Sequence, residues 1–404
     1  MDVNKLKHAQ VMIVGGGLSG ALLALGMLKK TDLSILLVEK AQLNVFEKKW
    51  ETAPGSFDER ALALSYGSIE FFQSIGIWND LIEHAQPMRH IEVSEKGRFG
   101  VTRLTVEGLP YDALGYVIEI SLLLKVIYAH LLAEKNKARL NCLWGCELSH
   151  VQIEAQVVKA QTAQGISIKG DLLILAEGAD SSIAQQLGIT YDVETYHELA
   201  LYANVVWRHP KLFTAYERFI QEEVLAFLPM THNRYSMIWT FPSKEGEAIK
   251  NLKDESLMAL IQARFGRRMG EMIKIGARQY FPLIKKIATE QIRHRLVVLG
   301  NAAHTIHPVA AQGLNLTVRD IQGLLMYCQN NQKSAYFGHL SDIKSYYDQR
   351  INDQVRTIGA TSAIKTLFQS KHFPFVHLRS SGLFLFDCLP WVKKTFSLLA
   401  MRGS

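Results

Sequence analysis

Short apolar runs with almost no polar interruption stand at Val11 to Val14, Leu33 to Val38, Leu172 to Ala176 and Leu296 to Leu299. Their length suits strands buried on both faces of a parallel sheet. Each gives way to a glycine or an acid: Gly15, Glu39, Glu177-Gly178 and Gly300. Elsewhere apolar residues recur at helical spacing. This predicts helices from Ala21, from Arg60 through the stretch ALALSYGSIEFFQSIGIWNDLI, from Ile120 to Glu134, from Leu257 to Phe265 and from about Gln312 to Gln329.

A different pattern fills the gaps. Alternation from Ile91 to Val106 predicts strands, and Leu140 to Val158 reads as a hairpin. Between residues 195 and 285 the pieces LALYANVVW, EVLAFLPM and YSMIWTF read as long antiparallel strands of a separate sheet. Residues 46–59, with Pro54-Gly55, read as a polar loop. A strand-helix-strand start, an inserted sheet and a late strand-loop-helix predict an α/β protein with a discontinuous nucleotide-binding domain (residues 1–75, 110–182 and 288–345). A substrate domain (76–109 and 183–287) is inserted in it, and a helical region (346–404) follows. Sites in such folds lie at the junction between domains.

Composition agrees with a globular protein: 404 residues, 48% apolar and 21% charged. Four cysteines, Cys142, Cys146, Cys328 and Cys388, are too few for a disulfide framework, so reduced thiols and a cytoplasmic setting are expected. No secretory signal and no eighteen-residue apolar stretch is visible. The net charge of +7 is uneven, since residues 356–404 carry seven basic residues against Asp387 alone. Apolar and aromatic residues interleave with them, among them Phe368, Phe373, Phe375, Leu383, Phe384, Phe386, Trp391 and Phe396. Two readings follow: helices docked on the body with lysines on the wet face, or a helix lying on an anionic membrane surface.

The chemistry begins at Gly15, Gly17 and Gly20, which fit G-x-G-x-x-G between strand and helix. Missing side chains there allow a tight turn, approach of a pyrophosphate and close helix-on-sheet packing, and the helix end offers free amides to phosphate. Nineteen residues after Gly20, Glu39 ends the second strand. A carboxylate there accepts from ribose hydroxyls and repels a 2′-phosphate, so FAD and NAD both qualify. The third signature is GNAAHTIHPVAAQGLNLTVRD, residues 300 to 320. Asn301 offers an amide to a polyhydroxyl chain, and Gln312-Gly313-Leu314-Asn315 presents backbone N–H groups at a helix start, where negative charge on a reduced isoalloxazine is stabilised. His304 and His307 form H-x-x-H but lack a third ligand at recognisable spacing, so no metal is expected.

Taken together, the glycine string with Glu39, Arg60 in FDERALAL, Glu177-Gly178 and the 300–320 segment resemble the FAD-dependent aromatic hydroxylases of the para-hydroxybenzoate hydroxylase class. Within it the chain is most similar to the ubiquinone-biosynthesis ring hydroxylases, in particular the 2-octaprenyl-6-methoxyphenol hydroxylase type. LGYVIEIS, YHELALYANV and YERF extend the likeness over nearly the whole chain. The resemblance implies a Rossmann-like FAD-binding domain, with Gly15, Gly17, Gly20 and Glu39 on the ADP half and Arg60 reaching the cofactor from a helix start. Glu177 and Gly178 would form a second cofactor contact, and Asn301 would hold the ribityl chain. Gln312, Gly313, Leu314 and Asn315 would border the flavin, with His307 and Pro308 shaping its catalytic face beside the substrate.

The implied reaction is hydroxylation of a polyprenylated phenol by O2 through a C4a-hydroperoxyflavin, with NADPH or NADH as a transient reductant. Contact with the inner face of a membrane or with a biosynthetic complex follows from the prenyl tail; no nucleic-acid partner is implied. A prenyl-lipid reductase or a low-activity flavoprotein scaffold is the alternative. Tyr216, Phe227, Met237 and Trp239 are candidates for the substrate wall, with ordinary core packing as the other reading. Two positions depart from the class pattern: Glu177 stands where Asp is usual, and Ala184 stands near an expected basic residue.

Overall fold

A computed structural model describes residues 8–44, 59–98, 100–308, 312–369, 381–382, 385 and 387–402. The expected loop at 46–59, save Glu59, and the tail residues Phe373, Phe375, Leu383, Phe384 and Phe386 lie outside the described residues. The first part of the chain contains β1 (Ala9–Val14), α1 (Leu18–Lys30), β2 (Ile35–Glu39), β3 (Ala61–Ser65) and α2 (Tyr66–Ser74). Next come β4 (Gln86–Met88), β5 (His90–Glu95), β6 (Val101–Thr105), β7 (Gly115–Glu119), α3 (Ile120–Leu131) and β8 (Leu140–Trp144). They are followed by β9 (Leu148–Ile153), β10 (Val158–Thr162), β11 (Ser167–Leu175), α4 (Ser182–Gln186) and β12 (Tyr191–Trp207). Then come β13 (Thr214–Ile220), β14 (Glu223–Pro229), β15 (Arg234–Pro242), α5 (Gly246–Lys250) and α6 (Asp254–Phe265). The last are β16 (Met272–Ile275), β17 (Gln279–Ala288), β18 (Ile292–Arg293), β19 (Leu296–Val298), β20 (His304–Thr305), α7 (Gln312–Asn331), α8 (Leu340–Gln369) and α9 (Pro390–Arg402).

The apolar runs form one sheet in the order β18-β19-β11-β1-β2-β8, with β9 and β10 hung on β11. β1 lies at its centre, parallel to both β2 and β11, and both faces are covered, which is why VMIV and ILLV need no polar alternation. Helix α1 is buried from Gly20 to Leu28 and packs against α3 and α7. Gly26 permits that approach, since a Cβ there would meet Leu325 at 2.6 Å.

The second sheet runs β20-β17-β12-β15-β14-β13-β5-β6 and is antiparallel apart from the β13–β5 pair. One face packs on α6 through an aromatic cluster in which Phe227 lies 4.7 Å from Phe265 and 5.4 Å from Trp207. Strands β3, β7 and β4 make a small third sheet between the two. The expected α/β architecture with an inserted, largely antiparallel sheet and a helical tail is the one found.

Three local expectations change. Residues 61–65 are strand β3, so Arg60 precedes a strand and the helix begins only at Tyr66. Ala and Leu favour helix intrinsically, but pairing of Ala61–Ser65 with β7 overrides that preference. Residues 140–158 are not one hairpin: β8 joins the main sheet parallel to β2, and the hairpin is β9–β10. A single helix, α8, runs through residues 345 and 346. It buries Ile343, Tyr346 and Phe368, the last stacked on Phe219 at 3.7 Å, so this part of the tail docks on the body. Among the described residues no helix is long and apolar enough to cross a membrane.

Candidate active site

The carboxyl ends of β1, β2 and β11 open onto a cavity of about 740 Å³, closed on its far side by the second sheet. Gly15, Gly17, Glu39, Arg60, Glu177, Gly178, Asn301, His307, Pro308, Gly313 and Leu314 all line it. Three glycines of the N-terminal turn do three different things. Gly15 has φ +101, and a Cβ on it would meet the Ala176 carbonyl oxygen at 2.4 Å, while one on Gly20 would lie 1.9 Å from the Gly15 carbonyl oxygen. Those two positions are dictated by backbone packing. A Cβ on Gly17 would meet no protein atom within 4 Å. Gly17 is also the N-cap of α1, with no side-chain capping bond and no acid in the first turn. This open, positive helix end is a cradle for an anion.

The middle residue, Gly16, is the one the sequence motif does not explain. A Cβ there would lie 2.7 Å from the Tyr128 hydroxyl and 3.1 Å from the Glu39 Cβ. Gly16 N–H donates to Glu39 Oε2 at 2.5 Å, Ala41 N–H donates to Oε1 at 2.8 Å, and the Tyr128 hydroxyl donates to the Gly16 carbonyl. Glu39 is therefore locked in place at the end of β2, with lone pairs left to face a ribose. Burial pushes the Tyr128 phenol far up, so it stays a donor.

The other predicted residues divide. Glu177 sits half-buried; burial pushes its carboxyl up, against hydrogen bonds from Ser181 and from the Ile183 backbone. Its carboxyl turns back to Ser181, at the start of α4. Gly178 has φ +89 and open space around it. Asn301 is exposed in the turn after β19. Arg60 reaches over the rings of Tyr202 and Phe281 at 5.6 and 5.1 Å.

Gly20, Gln312 and Asn315 do not line this cavity. Asn315 is instead a buried clamp: its Oδ1 accepts from Ser65 N–H and from Ser68 Oγ, each at 2.8 Å, and its Nδ2 donates to the Ala63 carbonyl at 3.1 Å. The two histidines part company. His304 Nε2 lies 2.7 Å from Asp320 Oδ2, whereas His307 Nε2 lies 3.2 Å from Glu198 Oε2. His307 is buried on the cavity wall; burial lowers its pKa more than Glu198 raises it, and Lys365 adds to the lowering.

Of the proposed wall residues, Phe227, Met237 and Trp239 are fully buried against α6; Tyr216 packs in that cluster too but also reaches a smaller cavity of about 120 Å³. Alternation puts the neighbouring residues on the cavity side: Leu228 and Ile238 line both cavities, and Ala226 and Thr240 line the smaller one. Tyr202 was missed as well. Its hydroxyl accepts from Ala61 N–H at 2.7 Å and from Ser236 Oγ at 2.8 Å, tying β3 to the second sheet. Period-two alternation was legible in the sequence, but which face met the cavity was not.

These residues fit a dinucleotide with one end at Gly17 and Glu39 and the other near Pro308 and Gly313. Residues 8–327 match the family described as FAD binding domain. The chain belongs to this family. FAD is therefore its cofactor, and it stands among the FAD-dependent monooxygenases. It is 27% identical to a ubiquinone hydroxylase of Rhodospirillum rubrum, over 98% of this chain and 90% of the relative. It is also 27% identical to the 3-demethoxyubiquinol 3-hydroxylase of Escherichia coli, over 93% of each. The p-nitrophenol 4-monooxygenase of Pseudomonas putida shares its fold, with a TM-score of 0.77 at 16% identity over 98% of this chain and 99% of that one. In this FAD-binding protein Gly15, Gly17, Glu39, Asn301, His307, Pro308, Gly313 and Leu314 line one cavity.

Proposed function

We propose that this FAD-dependent monooxygenase hydroxylates the aromatic ring of a polyprenylated phenol in ubiquinone biosynthesis, with NADPH or NADH as reductant. The observation that carries this reading is a chain of apolar spaces leading away from the cavity. The 120 Å³ space shares Ala63, Leu228, Ile238 and Pro308 with the main cavity. A further one of about 100 Å³ shares Ala63, Met88 and Ile91 with it and ends against Ser397 and Met401 of α9. A ring beside Pro308 would leave its tail among aliphatic side chains, where each buried methylene contributes roughly 0.8 kcal/mol.

Gly17 and the first turn of α1 would hold the pyrophosphate, Glu39 the ribose, and Asn301 the ribityl chain. Gly313 and Leu314 would border the ring system, and Arg60 would meet the cofactor from the rim. When bound, FAD supplies oxygen activation after reduction by the nicotinamide. The protein positions the ring and keeps water out through Leu228, Ile238 and Pro308. Exposed Trp391 and Phe396, with Lys394, support a peripheral position on an anionic membrane face, next to the apolar route.

The test is anaerobic reduction of the FAD-loaded protein with NADPH, followed by O2 and a short-chain prenylated phenol. Bleaching of the flavin band, then one product oxygen derived from 18O2, is expected. Reduction of the substrate without oxygen incorporation would replace this reading with the reductase.

A further inference from the structure

Strand β12 loses register with β17 where the paired positions jump from Thr195↔Ile284 to Leu199↔Pro282. Tyr196, His197 and Glu198 thus stand against Leu283 alone. His197 takes a left-handed φ of 52°, and Pro282, which has no N–H to give, sits at the break in the ladder. Such bulges re-aim side chains. This one turns Tyr196 and Glu198 toward the loop that carries His307.

Four groups close on one another there. Glu198 Oε2 meets His307 Nε2 at 3.2 Å, and Glu198 Oε1 meets Lys365 Nζ of α8 at 3.1 Å. Lys365 Nζ lies 3.3 Å from the centre of the Tyr196 ring, and that ring stands edge-on to His307 at 5.2 Å. The His307, Glu198 and Lys365 side chains are 1%, 8% and 8% exposed. Lys365 is thus not on the wet face where the charge pattern of the tail put it. Of the four, His307 lines the cavity, beside Pro308.

Desolvation opposes burying both an ammonium and a carboxylate, and apolar side chains of equal volume would pack here at least as stably. What an apolar pair could not do is orient an imidazole. A neutral histidine donating from Nε2 to a carboxylate has its tautomer and ring plane settled. We propose that Glu198 and Lys365 are positioning residues for His307, holding its imidazole in one tautomer and one orientation on the cavity wall, so that helix α8 completes the active site. This rests on the reading of that wall as the place of ring hydroxylation.

Charge balance gives the proposal a signature. Lys365 cancels the charge of Glu198, so His307 faces a neutral pair and burial keeps it uncharged. Among the described residues, Tyr196 and Glu194, both on β12, are further ionisable groups beside the cluster, and Glu194 is paired with Lys285 of β17 at 2.5 Å. Removing Lys365 takes a cation away from Glu198 and His307, so His307 gains a proton more readily. Removing Glu198 leaves a cation, which keeps the proton off.

The experiment is histidine-detected NMR titration of FAD-loaded protein, with the His307 signal assigned through His307→Gln, alongside the pH profile of NADPH-dependent hydroxylation. Lys365→Met is expected to raise the His307 midpoint by about one pH unit, a tenfold change in proton affinity. The pH profile should move with it, and product per NADPH should fall about tenfold at pH values below both midpoints. Glu198→Gln should lower the midpoint, and Glu198→Gln with Lys365→Met, which leaves no charge unpaired, should return it to the wild-type value. Lys365→Arg should keep both readouts. A His307 midpoint unmoved by Lys365→Met, or one that moves while the pH profile stays put, overturns the proposal. If Lys365→Met does not fold, Glu198→Gln and the double variant decide by the same two readouts. Wild-type protein that oxidises NADPH but hydroxylates no phenol refutes the functional reading instead, and leaves the midpoint shifts to judge the network.

Discussion

Replacing Gly17 by alanine separates what the glycine turn does for the fold from what it does for the cofactor. Gly17 has φ −63 and ψ −173, a conformation any residue adopts, and an added Cβ touches no protein atom within 4 Å. Alanine is a poorer N-cap than glycine, but it lowers the entropy of the unfolded chain, and the two effects nearly offset, leaving a stability change within about 0.5 kcal/mol. Gly20→Ala is the opposite case, since its Cβ would sit 1.9 Å from a backbone oxygen. A loss of about 3 kcal/mol or more is expected there. For the cofactor, a methyl group in the open space at Gly17 forces the pyrophosphate away from the α1 amides. Overpacking of about 1–3 kcal/mol corresponds to roughly 5- to 160-fold weaker FAD binding. Thermal unfolding without FAD and titration of FAD fluorescence measure the two effects. If Gly17→Ala lowers the apo-protein Tm as much as Gly20→Ala does, or binds FAD like wild type, then Gly17 is a packing glycine and the argument from its open side fails.

Tyr128→Phe removes the donor to the Gly16 carbonyl and should cost about 1–2 kcal/mol, read by urea unfolding, together with weaker FAD binding because the turn beside Glu39 loosens. Burial opposes ionisation of Asp320, but His304 and Arg350 outweigh it and hold the carboxyl below the usual range. Its stabilisation is therefore full above the unfolded value near 4 and is lost as pH falls through that value toward the lower folded one. Asp320→Asn should cost about 3–5 kcal/mol at neutral pH, and denaturation at pH 7 and pH 3 should show the gap closing in acid. Replacing exposed Trp391 with alanine should leave Tm unchanged and reduce co-sedimentation with anionic vesicles; unchanged partition would remove α9 from the membrane.

Much of the site was legible because it depends on local backbone geometry. Gly20 is required by its contact with Gly15 inside one strand-turn-helix, Gly15 has a left-handed φ in that same turn besides its contact with Ala176 of β11, and Glu39 follows one strand later, so a short stretch of sequence carries most of the information. The 300–320 segment was legible for the same reason. Asn315 lay inside the right motif yet faces β3 and α2 rather than the cavity, since its helical angle depends on how α7 packs. Met237 and Trp239 were assigned to a plausible wall, but a one-residue change of face carries Ile238 to the cavity and both of them to the core.

The sequence alone determined the order of elements, the nucleotide turn and the flavoprotein family, because apolar period and glycine placement act over a few residues. Tertiary structure decided that ALALS is a strand, that Lys365 is buried, and that His307 answers to Glu198 across 109 residues of chain. Each of these is a pairing between distant segments, and its energy exists only once both partners are brought together.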